Sequence, residues 1–205
     1  MQVSVKFLKK IFLFYLLLFS TLWANESEGA NKDLAFDNLF VSLQVGELYP
    51  WGNLQDAVEN SFYAGAGIRY TYWEDVDGFV QMEYSYFEPS AKHKSIDGVH
   101  QVNGKLGLSY HHQMIKSVEL GAGFLCTWTR ADHDEKKGKI DFKKDLGGTL
   151  ADNETEFGWF FRLFLPIWKT ENYRLSLDAQ WQELWTLPER SDMMSFGLVV
   201  ERRIW

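Results

Sequence analysis

From Ser61 to Phe87 the chain alternates between two kinds of side chain at every second position. Phe62, Ala64, Ala66, Ile68, Tyr70 and Tyr72 share one parity, while Tyr63, Gly65, Gly67, Arg69, Thr71 and Trp73 share the other. After EDVD the split resumes, with Val80, Met82, Tyr84 and Tyr86 apolar and Gln81, Glu83 and Ser85 polar. A period of two predicts strand, and two such runs around a short polar break predict a hairpin. Centred on Val76, this hairpin sets Arg69 opposite Glu83, Thr71 opposite Gln81 and Trp73 opposite Phe79, so opposite charges meet on the polar face.

The same alternation returns along the chain. Leu39, Val41, Leu43 and Val45 alternate with Ser42, Gln44 and Gly46, predicting a first strand over Asp37 to Tyr49. PWGNLQDAVEN then reads as a loop. Beyond the hairpin, a strand from Val99 to His112 sets Val102, Leu106, Leu108 and Tyr110 against Gln101, Asn103, Lys105 and Ser109. The next opposes Leu120, Ala122, Phe124, Cys126 and Trp128 to Glu119, Gly121, Gly123, Thr127 and Thr129. From Glu156 to Trp168, Phe157, Trp159, Phe161, Leu163 and Leu165 oppose Glu156, Gly158 and Arg162, although Phe160 and Phe164 blur the polar side. Tyr173, Leu175, Leu177, Ala179 and Trp181 then oppose Arg174, Ser176, Asp178, Gln180 and Gln182, and a hairpin centred on Thr170 places Arg162 opposite Asp178. A last strand runs from Met193 to Trp205. The reading is all-β, with eight strands and no helix after the N-terminus.

Connections are long after strands one, three and five and short after two, four and six, the longest being Arg130 to Asn153. An even strand number, alternating loop lengths and apolar-polar alternation over about ten residues describe an antiparallel up-and-down transmembrane β-barrel, apolar face outward. Tyr86, Trp128, Trp159 and Trp181 then fall toward the long-loop end, and Tyr70, Tyr72, Tyr110 and Tyr173 toward the short-turn end. These form two aromatic girdles at the water boundaries. Aromatic residues make up 17% of the chain, with nine Trp, which suits a membrane boundary better than a soluble core.

The N-terminus adds a compartment. Lys6, Lys9 and Lys10 precede IFLFYLLLF, and STLWA ends in a small residue before NESEG, the build of a cleaved signal peptide over 1–24. A membrane anchor is the alternative, but the run is short for a span. Residues 25–35 read as a polar lead-in and 36–205 as the barrel. Without the three leader lysines, 18 Lys and Arg face 28 Asp and Glu, a net charge near −10 that argues against nucleic acid. Cys126 is the only cysteine, so an intrachain disulfide is excluded.

Signal peptide, eight strands, loop alternation and C-terminal aromatic together resemble the small outer-membrane β-barrel families of Gram-negative bacteria, similar to OmpA, OmpX and OmpW. The resemblance implies location in the bacterial outer membrane with both termini periplasmic. It also implies contact with outer-membrane lipid and lipopolysaccharide, insertion by the barrel-assembly machinery, and long loops open to an extracellular partner, Arg130 to Asn153 above all. It departs at Trp205, which shares parity with Glu201 and Arg203 rather than with Phe196 and Leu198; a bulge or a different register would reconcile the two.

In such a barrel Arg69, Glu83, Lys105, Glu119, Arg162 and Asp178 point inward. An eight-stranded barrel holds side chains but no wide channel, and charge inside it must be paired. The expected role is a salt-bridged plug, with a proton or small-solute path as the functional alternative. The strand glycines make room for the long side chains. Catalytic chemistry is thinly represented: His93, Ser95 and Asp97, or Ser109, His111 and His112, would have to converge for a lipid A deacylase or acyltransferase. EDVDG lacks the remaining ligands of a calcium loop, and Asp132, His133 and Asp134 lack a partner at metal-ligand spacing. The leading expectation is a non-enzymatic barrel with no catalytic residue, metal or cofactor. It serves envelope structure, surface interaction or limited solute passage. A lipid-modifying enzyme is the first alternative. A secreted lipocalin-like binder is the second, disfavoured because it would turn Arg69 and Glu83 to water and crowd its pocket with Tyr and Trp.

Overall fold

The computed structural model describes residues 39–73, 75–90, 96–111, 118–133, 153–185 and 190–204. The signal peptide, the whole lead-in, Trp205, His93, Ser95, His112 and Asp134 lie outside the described residues. Eight strands follow in chain order: β1 Leu39–Trp51, β2 Ser61–Trp73, β3 Val76–Phe87, β4 Ile96–His111, β5 Glu119–His133, β6 Asn153–Lys169, β7 Tyr173–Leu184 and β8 Ser191–Arg203. Each pairs antiparallel with its sequence neighbours, and β1 pairs with β8 from Phe40 opposite Arg203 to Trp51 opposite Asp192, closing the barrel. Closure joins the first strand to the last, so the sheet has no free edge strand to expose to hydrocarbon.

The faces follow the alternation. Outward, Phe62 and Phe124 are each 69% exposed and Met82 62%, with Ile68, Leu106, Leu108, Leu120, Leu177 and Leu198 also exposed. An apolar belt of this extent is stable only against hydrocarbon. Inward, Arg69, Glu83, Lys105, Glu119, Arg162 and Asp178 are all buried, Lys105 to 1%. The inverse arrangement required of a lipocalin-like pocket is therefore excluded. β8 obeys the same rule: Phe196 and Leu198 face outward, while Met193, Ser195, Val199 and Glu201 are buried.

Four local readings are corrected. First, the β2–β3 turn is tighter than EDVD: Trp73 pairs with Val76 across two residues, and a register irregularity lies between Thr71 and Trp73. The extended preference of Val76 carries the strand further back. Arg69 consequently faces Phe79, Gly65 faces Glu83, and Thr71 faces Asp77. Second, Arg162 faces Gln180 rather than Asp178, which lies opposite Phe164. Both register changes are even, so every side chain keeps its face. Third, the loop after β1 contains a short helix, α1 (Asn53–Ala57), entered through Gly52 at φ 65°, a left-handed conformation that glycine adopts without strain. The segment is tied to the end of β3 by Glu59 N–H donating to Glu88 O (2.8 Å) and Ser90 N–H donating to Ala57 O (3.0 Å). β5 also runs to His133, so Arg130 and Asp132 belong to the wall rather than to the long loop.

The lumen changes character along its axis. At the long-loop end Leu48, Phe87, Val99, Leu125, Leu184 and Met193 are buried together with Ala57 of α1 and the adjoining Val58. A cavity of only about 20 Å³ remains among Leu54, Val58, Phe87, Val99 and Leu184. That is room for about one water molecule. Toward the short turns the filling is ionic and aromatic.

Candidate functional site in the barrel lumen

Two charged clusters cross the lumen. The central one is organised by Arg162 of β6. Its Nε donates to Asp178 Oδ1 (2.6 Å) and its Nη2 to Asp178 Oδ2 (3.2 Å), a two-pronged contact that matches guanidinium to carboxylate. Nη2 also donates to Gln44 Oε1 (2.9 Å), and Nη1 donates to Gln81 Oε1. Lys105 Nζ donates to Glu83 Oε1 and Oε2 (2.5 Å each) and to Gln180 Oε1 (2.7 Å). Gln44 Nε2 donates to Glu83 Oε1 (2.7 Å), and Gln180 Nε2 to Asp178 Oδ2 (2.6 Å). Each ion pair is thus linked to the other through an amide. β1, β3, β4, β6 and β7 all contribute, so the network spans the barrel from wall to wall.

The second cluster lies at the short-turn end around Arg69 of β2. Arg69 Nη1 donates to Asp77 Oδ2 (3.1 Å) and Glu119 Oε1 (2.6 Å), and Nε lies 2.9 Å from Glu201 Oε1. Arg174 Nη2 contacts Glu119 Oε2, and Arg174 Nε lies 3.5 Å from Glu201 Oε2. His111, a third exposed, sets Nε2 at 2.7 Å from Asp77 Oδ2.

Phe164 joins the clusters. Its ring centre lies 3.8 Å from Arg162 Cζ and 4.8 Å from Arg69 Cζ, so two guanidiniums share one aromatic ring. Phe160, buried at 0%, lies 5.7 Å from Lys105 Nζ, and Phe79 lies 5.6 Å from Arg162 Cζ. Aromatic faces supply electrostatic complement to desolvated cations, which accounts for Phe160 and Phe164 on an otherwise polar parity.

The six charges singled out in the sequence all enter these clusters, but one pairing is overturned. Arg69 does not pair with Glu83; it binds Asp77, Glu119 and Glu201, and Glu83 binds Lys105. Arg162 and Asp178 meet on a diagonal rather than directly opposite. Asp77, Arg174, Glu201 and the glutamines Gln44, Gln81 and Gln180 were missed. Their inward parity was the available signal, and Asp77 was hidden because EDVD was read as turn. Gly65 and Gly67 give space as expected, since a Cβ on them would lie 2.8 Å from Gln44 Nε2 and 2.5 Å from Gln81 Cγ.

Asp77, His111 and Glu119 bring one ligand atom each within 4.8 Å of one another, a spacing that could suit a metal ion. Arg69 and Arg174 already contact the same carboxylates, so the position a cation would take is held by guanidinium groups. Ser109 is buried at 1% and its hydroxyl makes no hydrogen bond, the His111 imidazole contacts Asp77, and His112 lies outside the described residues. The girdle positions divide between the two ends of the outer wall. Tyr86, Trp128, Trp159 and Trp181 lie on the long-loop half, and Tyr70, Tyr72, Tyr110 and Tyr173 on the short-turn half. Phe161 and Trp181 stack at 5.9 Å between ring centres.

Solved structures share this architecture. Neisserial surface protein A (NspA) superimposes with a TM-score of 0.51 at 13% identity over 80% of this chain and 96% of its own. The fold is that of the small outer-membrane β-barrels. Ail, the attachment invasion locus protein of Yersinia pestis, solved with the heparin analogue sucrose octasulfate, gives 0.50 at 12% identity over 80% of this chain and 99% of its own. The N-terminal β-barrel domain of Pseudomonas aeruginosa OprF gives 0.48 at 14% identity, covering 80% and 98%. No family model and no curated protein matches the sequence.

Proposed function

We propose that this chain is an integral protein of the bacterial outer membrane whose lumen is closed, and that it serves envelope structure or surface contact rather than solute passage. The observation that carries this reading is the double obstruction of the axis: an apolar stopper beneath α1, and below it an ionic network joining five strands across the lumen. A conducting path would require breaking desolvated ion pairs, each costing several kcal/mol. With the termini in the periplasm, as the loop-length asymmetry favours, the long connection read from Arg130 to Asn153, whose residues 134–152 lie outside the described residues, is where an extracellular partner would engage. Lipid and lipopolysaccharide are the surroundings of the apolar belt, and the barrel-assembly machinery is the insertion route.

Planar-bilayer recording on folded protein tests closure. The expected result is conductance indistinguishable from a protein-free bilayer, and replacing Arg162 and Lys105 together by Ala should not by itself produce steps, because the apolar stopper of Leu48, Leu184 and Met193 stays in place. Stable openings in the unaltered protein would overturn the reading.

A further inference from the structure

A separate hydrogen-bonded array lies on the outward wall near the long-loop end. Tyr84 of β3, His100 of β4 and Asp132 of β5 stand on three adjacent strands. Tyr84 Oη lies 2.7 Å from His100 Nδ1, His100 Nε2 lies 2.9 Å from Asp132 Oδ2, and Arg130 Nε lies 3.5 Å from Asp132 Oδ1. An ionised carboxylate only accepts, so Asp132 fixes the imidazole hydrogen on Nε2 and leaves the Nδ1 lone pair to receive the Tyr84 hydroxyl. A hydroxyl on a ring nitrogen whose partner nitrogen is oriented by a carboxylate is the arrangement that activates an oxygen nucleophile. Tyr86 packs its ring 4.9 Å from the same imidazole. Trp128, 40% exposed, stands two residues before Arg130 on the same outward face, which marks the depth as the aromatic boundary where lipid headgroups lie. Arg130 is 59% exposed and supplies positive charge at that boundary.

We propose that Tyr84, His100 and Asp132 form a nucleophilic relay acting on phosphodiester headgroups of membrane lipids, with Arg130 as the phosphate contact. This goes beyond the structural role given to the lumen and does not depend on it. A phosphodiester suits the site better than an acyl ester, because a guanidinium complements a phosphate that is anionic before reaction. In the first step the Tyr84 Oη–phosphorus bond forms as the phosphorus–oxygen bond to the leaving alcohol breaks. The phenol proton passes to His100 Nδ1 and from there to the departing oxygen. In the second, His100 takes a proton from water as that water attacks phosphorus, the bond to Tyr84 breaks, and the phenolate recovers the proton. The net change is hydrolysis of a phosphodiester to a phosphomonoester and an alcohol, with no other reactant.

The test uses folded full-length protein in detergent micelles with bis(4-nitrophenyl) phosphate, and in a second arm vesicles of phosphatidylglycerol. Nitrophenolate release is expected to fall at least ~100-fold in Tyr84→Phe and in His100→Ala, the scale of a lost acid–base or nucleophilic group. Arg130→Gln is expected to raise KM with kcat nearly unchanged, and protein acid-quenched during turnover of bis(4-nitrophenyl) phosphate should carry a 4-nitrophenyl phosphoryl group on Tyr84 by mass spectrometry. Heat-shifted gel mobility verifies that each variant is folded, and Tyr84→Phe removes only a hydroxyl. Turnover in the vesicle arm alone would assign the activity to lipid rather than to free phosphodiesters. No turnover above protein-free controls in either arm, or full turnover by folded Tyr84→Phe, would overturn the proposal.

Discussion

The two halves of the lumen fill similar space by different means. Beneath the long loops Leu48, Leu125, Leu184 and Met193 are each 2% exposed or less and pack against whichever neighbours fill the space. Toward the short turns every long side chain has named partners: Arg162 has Asp178, Gln44, Gln81 and a ring face, and Arg69 has three carboxylates. Apolar packing tolerates a neighbour of similar volume, whereas a desolvated charge tolerates only a change that its partner shares. The apolar half should therefore respond to volume, and the ionic half to pairing.

The largest effect should come from Arg162→Ala, which leaves Asp178 buried without its guanidinium and removes the cation from Phe164 and Phe79. A loss of ~3–5 kcal/mol is expected, the range for breaking one side of a buried pair, read by guanidinium unfolding of the barrel in lipid vesicles. Arg162→Lys should recover only part, because an ammonium cannot make the two-pronged contact to Asp178. Equal stability of Arg162→Ala and the unaltered protein would remove the distinction between the halves.

In the apolar half Met193→Ala should cost ~2–5 kcal/mol through a cavity, while Met193→Leu should cost under ~1.5 kcal/mol. The same two substitutions sharpen the comparison because they separate volume from chemistry at one position. A Leu variant as damaging as the Ala variant would show that the stopper depends on specific contacts, Gln101 Nε2 to Met193 Sδ at 3.9 Å among them.

The faces of the strands were legible in the sequence, whereas the partners were not. Period two survives an even error in register, so misplacing the β2–β3 turn still left Arg69 and Glu83 inside. The partners were hidden because most lie on strands that are not adjacent: Arg69 of β2 meets Glu119 of β5, and Arg162 of β6 meets Gln44 of β1. Those meetings depend on barrel tilt and stagger, which alternation does not encode. The stopper was hidden for another reason. Leu48, Leu125 and Met193 sit on the nominally polar parity, where a narrow barrel end accepts apolar filling beneath α1, a helix the turn-forming composition of its segment had concealed. The wall array of Tyr84, His100 and Asp132 escaped because Arg130 and Asp132 were read as loop, before β5 was known to reach His133.

Pairing itself can be isolated in the central cluster. Lys105→Met leaves Glu83 with Gln44 alone, whereas Lys105→Met combined with Glu83→Gln removes both charges and keeps the amide contact. The double variant should be more stable than the sum of the single losses predicts, with a coupling of ~0.5–3 kcal/mol, as expected for residues in direct contact. Additive losses in the same unfolding assay would mean that Lys105 contributes only its packing on Phe160.

The smallest expected effect marks where the ionic half ends. Gly104 adjoins Lys105 in sequence but faces outward, and a Cβ there would meet only Cys126 O, at 3.7 Å. Gly65 faces inward, where a Cβ would lie 2.6 Å from Met82 O and 2.9 Å from Glu83 Cγ. Neither has a positive φ, since Gly52 alone does among the described glycines, so backbone strain does not distinguish them. Gly65→Ala must displace Glu83 from Lys105 and should cost ~1–3 kcal/mol as overpacking. Gly104→Ala should fall within ~0.5 kcal/mol of the unaltered protein, because lost freedom in the unfolded chain offsets any local crowding. If the two variants unfold at the same denaturant concentration, the glycines are permissive everywhere, and the fit of Glu83 against its neighbours does not depend on the gap that Gly65 leaves.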